Sequence, residues 1–338
     1  MARTFVIAEA GVNHNGSAEL AHQLVDIAAS AGADAVKFQT FRATNLVTAR
    51  APKAPYQRET TGDGEGQLAM IQGLELPRET WAGLAAHASR RGIEMMSTPF
   101  DLASVDDVIA MGVRRMKIAS GEVTNVPLLR AIARTGLPMI LSTGMCTLGD
   151  VESALAVLAG VVSAATMRER VTILHCTTEY PAPAEQANLR AMGTLAAAFG
   201  LPVGYSDHTL GTEVALAAVA LGATTIEKHF TLDCSMPGPD HRASLEPKDL
   251  AAMVRGIRAV EAALGSARKG PTAAEIGNVP VARRSIVAAR AIATGERFSE
   301  ENLTTKRPGT GVPASRYDEY VGRVARRAYD ADDLIDAD

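Results

Sequence analysis

At 338 residues, with 47% hydrophobic and 21% charged residues, the chain has the make-up of a folded protein with a sizeable core, long enough for one large α/β domain and a small appendage. A net charge of −4 supplies no basic face for duplex nucleic acid or anionic lipid, so neither nucleic acid nor membrane is an expected partner. Cys146, Cys176 and Cys234 are odd in number and widely spaced, "MARTFVIAEAG" lacks a signal-peptide pattern and no run reaches ~18 apolar residues; free thiols in the cytoplasm are expected.

From residue 5 a strand-like run, "TFVIAEAG", opens a series in which an alanine-rich helical stretch, a glycine and a compact apolar run ending in polar residues recur. The copies are "SAGADAVKFQT", "RRGIEMMSTPF", "MGVRRMKIAS", "TGLPMILSTG", "VTILHCTTEYP", "FGLPVGYSDHT" and "LGATTIEKHF", with "RER" replacing the glycine signal ahead of "VTILHC". Each glycine suits the left-handed position just past a helix C-terminus, and the residues after it suit a buried parallel strand. Eight such units, with no GxGxxG after the first, predict a (β/α)8 TIM barrel over residues 1–265 and not an open doubly wound sheet.

Between the second strand and its helix, "FRATNLVTARAPKAPYQRETTGDGEG" is too long and aperiodic for an ordinary connection, so it is either a substrate-covering segment or a tolerated surface insertion. A second candidate cover, "CSMPGPDHRASLEP", follows the eighth strand. After the helix "DLAAMVRGIRAVEAALG", residues 266–281 read as a linker, and residues 282–338 change to short strands and turns, a small mostly-β domain.

In a barrel of this kind the C-terminal ends of the strands form the functional face. There the sequence gathers Glu9, Lys37 with Gln39, Thr98, Lys117 with Ser120, Ser142, Thr178 with Tyr180, Ser206 with Asp207 and His208, then Glu227 with His229. Strand alternation places Glu227 and His229 on one side and Lys228 on the other. Inward-facing Lys37 and Lys117 are costly to bury without an anion; with the hydroxyls of Thr98, Ser120, Ser142 and Ser206 they suggest a phosphate or carboxylate ligand, although any one serine could equally cap a strand end. His208 and His229 end neighbouring strands, and either share a divalent metal or are hydrogen-bonded strand-end histidines. Glu9, Glu122, Glu227 and Asp240 are candidates for proton transfer or sugar-hydroxyl recognition, or else salt-bridge partners of the two lysines. His14, in "VNHNG", reads as a loop residue.

Taken in order, "IAEAGVNHNG", "VKFQT", "STPFD", "KIASGE", "LSTGM", "LHCTTEYP", "GYSDHT", "EKHF", "MPGPDH" and "TKRPGTG" resemble the bacterial sialic acid (nonulosonate) synthases. The resemblance implies a metal-dependent condensation of phosphoenolpyruvate with the open-chain aldehyde of an N-acylated mannosamine, giving a nine-carbon 2-keto acid and phosphate. It implies Lys37, Thr98, Lys117, Ser120, Ser142, Thr178 and Ser206 as the phosphoenolpyruvate cradle, and His208 and His229 as ligands of a divalent ion, manganese before magnesium or cobalt. Gln39, Tyr180, Asp240 and Arg307 become sugar contacts, and Glu9, Glu122 and Glu227 catalytic acidic positions.

Residues 282–338 resemble the antifreeze-like (SAF) domain of these synthases, which implies a domain-swapped homodimer in which Arg307 completes the sugar site of the other chain. Thr178 stands where sialic acid synthases proper often carry asparagine, and Val281 and Arg283 stand where some relatives place phenylalanines. "LHCTTEYPAP", Tyr56 with Gln57, and "MPGPDHRASLEP" are closer to the legionaminic acid branch, whose acceptor is 2,4-diacetamido-2,4,6-trideoxymannose; N-acetylmannosamine is the alternative acceptor. Two competing readings are a Schiff-base pyruvate aldolase using Lys117 or Lys228 as nucleophile, and a non-catalytic carbohydrate-binding barrel.

Overall fold

The recurring apolar runs become eight parallel strands in a computed structural model that describes residues 3–337: β1 (Phe5–Gly11), β2 (Ala35–Thr40), β3 (Glu94–Pro99), β4 (Met116–Ile118), β5 (Met139–Ser142), β6 (Val171–Cys176), β7 (Val203–Asp207) and β8 (Thr225–His229). Hydrogen bonding orders them β3-β2-β1-β8-β7-β6-β5-β4, and β3 lies against β4, so the sheet closes as a TIM barrel. Six glycines that introduce strands, Gly32, Gly92, Gly112, Gly136, Gly200 and Gly222, have positive φ, the conformation that ends a helix at lowest cost. Among the described residues no backbone ladder joins β3 to β4. Arg115 crosses that join below the mouth, donating to Glu94 Oε1 at 2.7 Å and Oε2 at 3.1 Å, with its guanidinium 4.1 Å from the ring centroid of Phe5.

Alternation sorts the strand residues into two environments. Outward-facing residues such as Val6, Ala8, Val36, Phe38, Leu141 and Ile226 pack under the surrounding helices in the main core, where each large aliphatic side chain contributes roughly 1.5–3 kcal/mol. Inward-facing Ile7, Ala35, Met96, Ile140 and Leu174 form a dry layer inside the barrel. Two residues further along the same strands come Glu9, Lys37, Thr98, Ser142 and Cys176, so the polar mouth is the next layer of one stacked pattern.

The stretch after β2 is not irregular, as its aperiodic sequence suggests, but forms three short helices, Ala43–Leu46, Pro55–Thr61 and Gln67–Gln72. Lys53, buried within it, ties it together by donating to Thr61 Oγ1 and Gly62 O, each at 2.9 Å. Helices this short leave no periodic trace in a sequence.

The chain divides between Gly265 and Ser266. The second unit begins with one-turn helices Ala273–Ile276 and Val279–Ala282, followed by the antiparallel pair β9 (Ser285–Ala288) and β10 (Leu303–Lys306). Ile286, Ile292, Phe298, Leu303, Tyr320 and Tyr329 make its own core. Arg307 directly follows β10, where its Nε donates to Ala282 O at 3.0 Å. No helix among the described residues is long and apolar enough to cross a membrane.

Candidate active site

A cavity of about 570 Å³ opens at the C-terminal ends of the strands, and its floor is a buried ring of charge. Lys37 Nζ lies 2.7 Å from Glu9 Oε2 and 3.6 Å from Glu227 Oε2, and donates to Thr98 Oγ1 at 3.0 Å. Lys117 Nζ lies 3.3 Å from Glu227 Oε1 and donates to Ser142 Oγ at 2.7 Å, while Ser206 Oγ donates to Glu227 Oε1 at 2.8 Å. Burial would raise the Glu227 carboxyl, but Lys117 and then Lys37 outweigh it and hold the group at about 2. For Glu9 burial prevails over Lys37, helped by repulsion from Glu227, and the carboxyl is pushed up to about 7. Burial lowers Lys117; Lys37, facing two carboxylates, is raised despite its own burial. The ring thus holds two ammonium groups with one firmly ionised carboxylate, Glu227, and a second, Glu9, that gains and loses its proton near neutral pH; with Glu9 protonated the floor carries an excess positive charge that an anionic guest relieves.

Beside this ring, Gly144 N–H donates to Ser120 Oγ at 2.8 Å, and Ser120 Oγ sits 3.2 Å from Cys176 Sγ. A Cβ on Gly144 would fall 2.1 Å from Thr178 Oγ1 and 3.1 Å from both Cys176 Sγ and Ser120 Oγ, so the close approach requires glycine. Thr178 Oγ1 is buried at the cavity wall with no protein partner, a hydroxyl free to meet a ligand. Cys176, which the sequence suggested only as a free thiol, also lines the cavity; its alternation with Leu174 in "VTILHC" is the signal that could have placed it there.

His208 Nδ1 is 2.6 Å from Thr177 O, and since a carbonyl only accepts, that nitrogen carries the proton and Nε2 keeps its lone pair. His229 Nδ1 is buried without a hydrogen bond, 3.9 Å from Asp240 Oδ2, and the two imidazole centroids are 5.7 Å apart. Burial holds His208 at about 4 and His229 well below the usual range, so both rings are neutral, the form that ligates metal. Among the described residues no set of three acidic, histidine or cysteine side chains converges as a ready-made metal site. The neutral pair, one ring with a lone pair fixed by its carbonyl partner and one with an orphaned nitrogen, nevertheless fits a divalent ion with open positions. Asp240 is raised to about 6 by burial, and Tyr180 stacks between the histidines and Tyr56, with centroids 4.2 Å from His208 and 5.1 Å from Tyr56. Gln39 Nε2 donates to Glu9 Oε1 at 3.4 Å.

Two residues stand elsewhere than the sequence suggests. Glu122 does not line the cavity: the chain leaves β4 through a tight turn, Ser120–Glu122, that directs Ser120 to the mouth and Glu122 to Asn125, whose Nδ2 donates to its Oε2 at 2.7 Å beside the helix Val126–Arg134. Asp207 is not at the mouth either, because alternation turns it outward, where it accepts from Lys228 Nζ at 2.8 Å with both side chains wholly buried. Lys228 is thereby removed from any role as a nucleophile on a bound ligand. Of the two readings of the stretch after β2, the substrate-covering segment fits and the surface insertion does not: Phe41, Leu46, Val47, Tyr56, Gln57 and Met70 line the cavity and give it a mostly apolar upper wall. Arg307 belongs to the second unit.

The NeuB family model matches residues 24–269 and the SAF domain model residues 283–338. The chain is 51% identical to the N,N'-diacetyllegionaminic acid synthase of Campylobacter jejuni subsp. jejuni, with 99% of each chain covered. It is 48% identical to the N,N'-diacetyllegionaminic acid synthase of Legionella pneumophila subsp. pneumophila, with 94% of this chain and 89% of that one covered. Among solved structures, the N-acetylneuraminic acid (sialic acid) synthetase from Leptospira borgpetersenii, in complex with citrate, aligns with a TM-score of 0.71 and 34% identity over 82% of this chain and 90% of the other.

Proposed function

The chain belongs to the NeuB family, and from that premise we propose that it condenses phosphoenolpyruvate with the open-chain aldehyde of 2,4-diacetamido-2,4,6-trideoxymannose and water, releasing a nine-carbon 2-keto acid and phosphate. The observation that carries this reading is the buried ring of Lys37 and Lys117 with a single firmly ionised counter-charge, Glu227. A small polyanion is the guest that such a ring needs. The choice of acceptor is supported by 51% and 48% identity to two synthases of diacetyllegionaminic acid, against 34% to a sialic acid synthetase. The apolar upper wall of the cavity also suits a methyl and an acetamido group better than two hydroxyls.

Each residue then has a task. Lys37 and Lys117, already hydrogen-bonded to Thr98 and Ser142, orient the phosphate and carboxylate of phosphoenolpyruvate. Ser120 and the unpaired hydroxyl of Thr178 add donors to the same cradle, and Ser206, whose proton goes to Glu227, braces its floor. Glu227 keeps both ammonium groups in position and stays ionised. Glu9, at about 7, exchanges a proton near neutral pH, which suits it to take one from the attacking water. Gln39, Tyr180 and Asp240 hold polar groups of the sugar above the ring. His208 and His229 would hold a divalent ion, manganese before magnesium or cobalt, and such an ion when bound polarises the aldehyde oxygen. Holding the enol carbon and aldehyde in register contributes the remainder by proximity.

We extend the proposal to a domain-swapped homodimer in the cytoplasm, where the three cysteines stay free and Arg307 completes the sugar site of the other protomer; the match to a SAF domain supports it. The test is phosphate release from phosphoenolpyruvate with each of the two candidate sugars, with manganese or with EDTA. Faster release with the diacetamido sugar, abolished by EDTA, is expected. Faster release with N-acetylmannosamine reassigns the acceptor, and full activity in EDTA with a borohydride-trapped pyruvate adduct overturns the mechanism. Mixed dimers that pair an Arg307→Ala chain with a Lys117→Met chain recover activity if the domains are swapped, and do not otherwise.

A further inference from the structure

The turn "VNHNG" after β1 has no part in the chemistry above, yet its two asparagines grip the segment that brings Asp240 to the mouth. Asn15 Nδ2 donates to Pro237 O at 2.9 Å, and because that carbonyl can only accept, the orientation of the amide is fixed. Asn15 Oδ1 therefore faces His241 Nε2, at 3.2 Å, which must carry the proton. His241 Nδ1 is left to accept from the Thr231 hydroxyl at 2.6 Å. One carbonyl thus sets the direction of a hydrogen-bond chain that runs through His241, the fully buried residue next to Asp240, to Thr231.

The other flank is tied in the same way. Asn13 Nδ2 donates to Phe230 O at 2.8 Å and to Ser244 Oγ at 2.9 Å, and Ser244 Oγ donates to Asp240 O at 2.7 Å. Between the two ties, Gly238 has φ +149°, and a Cβ there would fall 2.6 Å from His241 Cδ2 and 2.9 Å from Asn15 Oδ1. The backbone of Asp240 is pinned from both sides, while its carboxylate lies 3.9 Å from His229 Nδ1.

We propose that Asn15 and His241 are positioning residues, a latch between the turn after β1 and the segment after β8 that fixes where Asp240 stands and thereby sets affinity for the acceptor sugar. The inference rests on the proposed role of Asp240 as a sugar contact.

The test uses the full-length enzyme with its divalent ion. Asn15 has φ +49°, a conformation glycine accepts, so Asn15→Gly removes the latch without straining the turn. Losing these hydrogen bonds raises KM for the acceptor by about tenfold while KM for phosphoenolpyruvate stays within about twofold. Asp240→Ala raises the acceptor KM as well, and adding Asn15→Gly to it has no further effect, because the latch acts through Asp240. His241→Gln, which keeps a donor toward Asn15, retains more acceptor affinity than His241→Ala. The proposal is overturned if Asn15→Gly raises the acceptor KM by the same factor with and without Asp240, if both substrates weaken together, or if only the melting temperature falls. An unchanged acceptor KM in Asp240→Ala overturns it too, by removing the contact the latch serves. Phosphate release that ignores the sugar altogether marks instead a failure of the proposed reaction.

Discussion

Replacing Glu227 with glutamine preserves the shape of the side chain and removes the charge that faces both lysines. Its oxygens lie 3.6 Å from Lys37 Nζ and 3.3 Å from Lys117 Nζ in a fully buried ring. The carboxyl is displaced from its ordinary 4.5 to about 2, and at about 1.4 kcal/mol per pH unit this corresponds to roughly 3 kcal/mol of stability. That agrees with the ~3–5 kcal/mol lost when one partner of a buried ion pair is removed. A depressed carboxyl stabilises the folded state above its unfolded value and loses that effect as pH falls toward the folded one. The gap between the wild type and Glu227→Gln is therefore widest above pH ~5 and closes in acid. Urea unfolding followed by fluorescence measures it cleanly, because Trp81 is the sole tryptophan and lies in the barrel core, so the second unit is silent. Equal stability at pH 7, or a gap that widens as pH falls, would refute the reasoning.

Three other outcomes are expected. The wild-type kcat/KM for phosphoenolpyruvate should bend near pH 7 and Glu9→Gln should abolish the bend; the stability that goes with the raised carboxyl is fully present below 4.5 and lost as pH rises through about 7, so urea midpoints of the ligand-free wild type fall over that window while those of Glu9→Gln do not. Lys228→Met leaves Asp207 buried without its cation and should cost about 3–5 kcal/mol in the urea midpoint, with KM for phosphoenolpyruvate unchanged; a selective loss of substrate affinity would contradict the outward placement of this lysine. Gly144→Ala forces Thr178 Oγ1 from its place, so activity should fall by ~10-fold or more while the melting temperature changes little, and an active variant would show that Thr178 is dispensable.

The barrel was legible because a fully buried parallel strand needs a compact apolar run and a helix that turns back into it favours a left-handed glycine, and both leave marks ahead of six of the eight strands. The mouth was legible for the same reason: Glu9, Lys37, Thr98 and Ser142 each stand two residues beyond an apolar partner in the dry layer. Alternation also holds the answer for Asp207, which differs in facing from Ser206 and His208 as Lys228 does from Glu227 and His229. Glu122 was beyond that rule, since β4 is only three residues long and a turn takes over the geometry after Ala119. The opposite fates of Glu9 and Glu227, one held near neutrality and one driven far below, depend on Glu227 having both lysines within 4 Å and Glu9 only Lys37, a convergence that no pattern of letters records.

The join between β3 and β4 has a consequence of its own. Arg115 and Glu94 stitch it at the base, but at the rim Lys37 with Thr98 stands on one bank and Lys117 with Ser142 on the other, and no backbone rung spans them. A dianion gripped from both banks becomes a keystone, so amide hydrogen exchange along β3 and β4 should slow on adding substrate more than anywhere else in the barrel. The enzyme would then be most resistant to unfolding while it is at work.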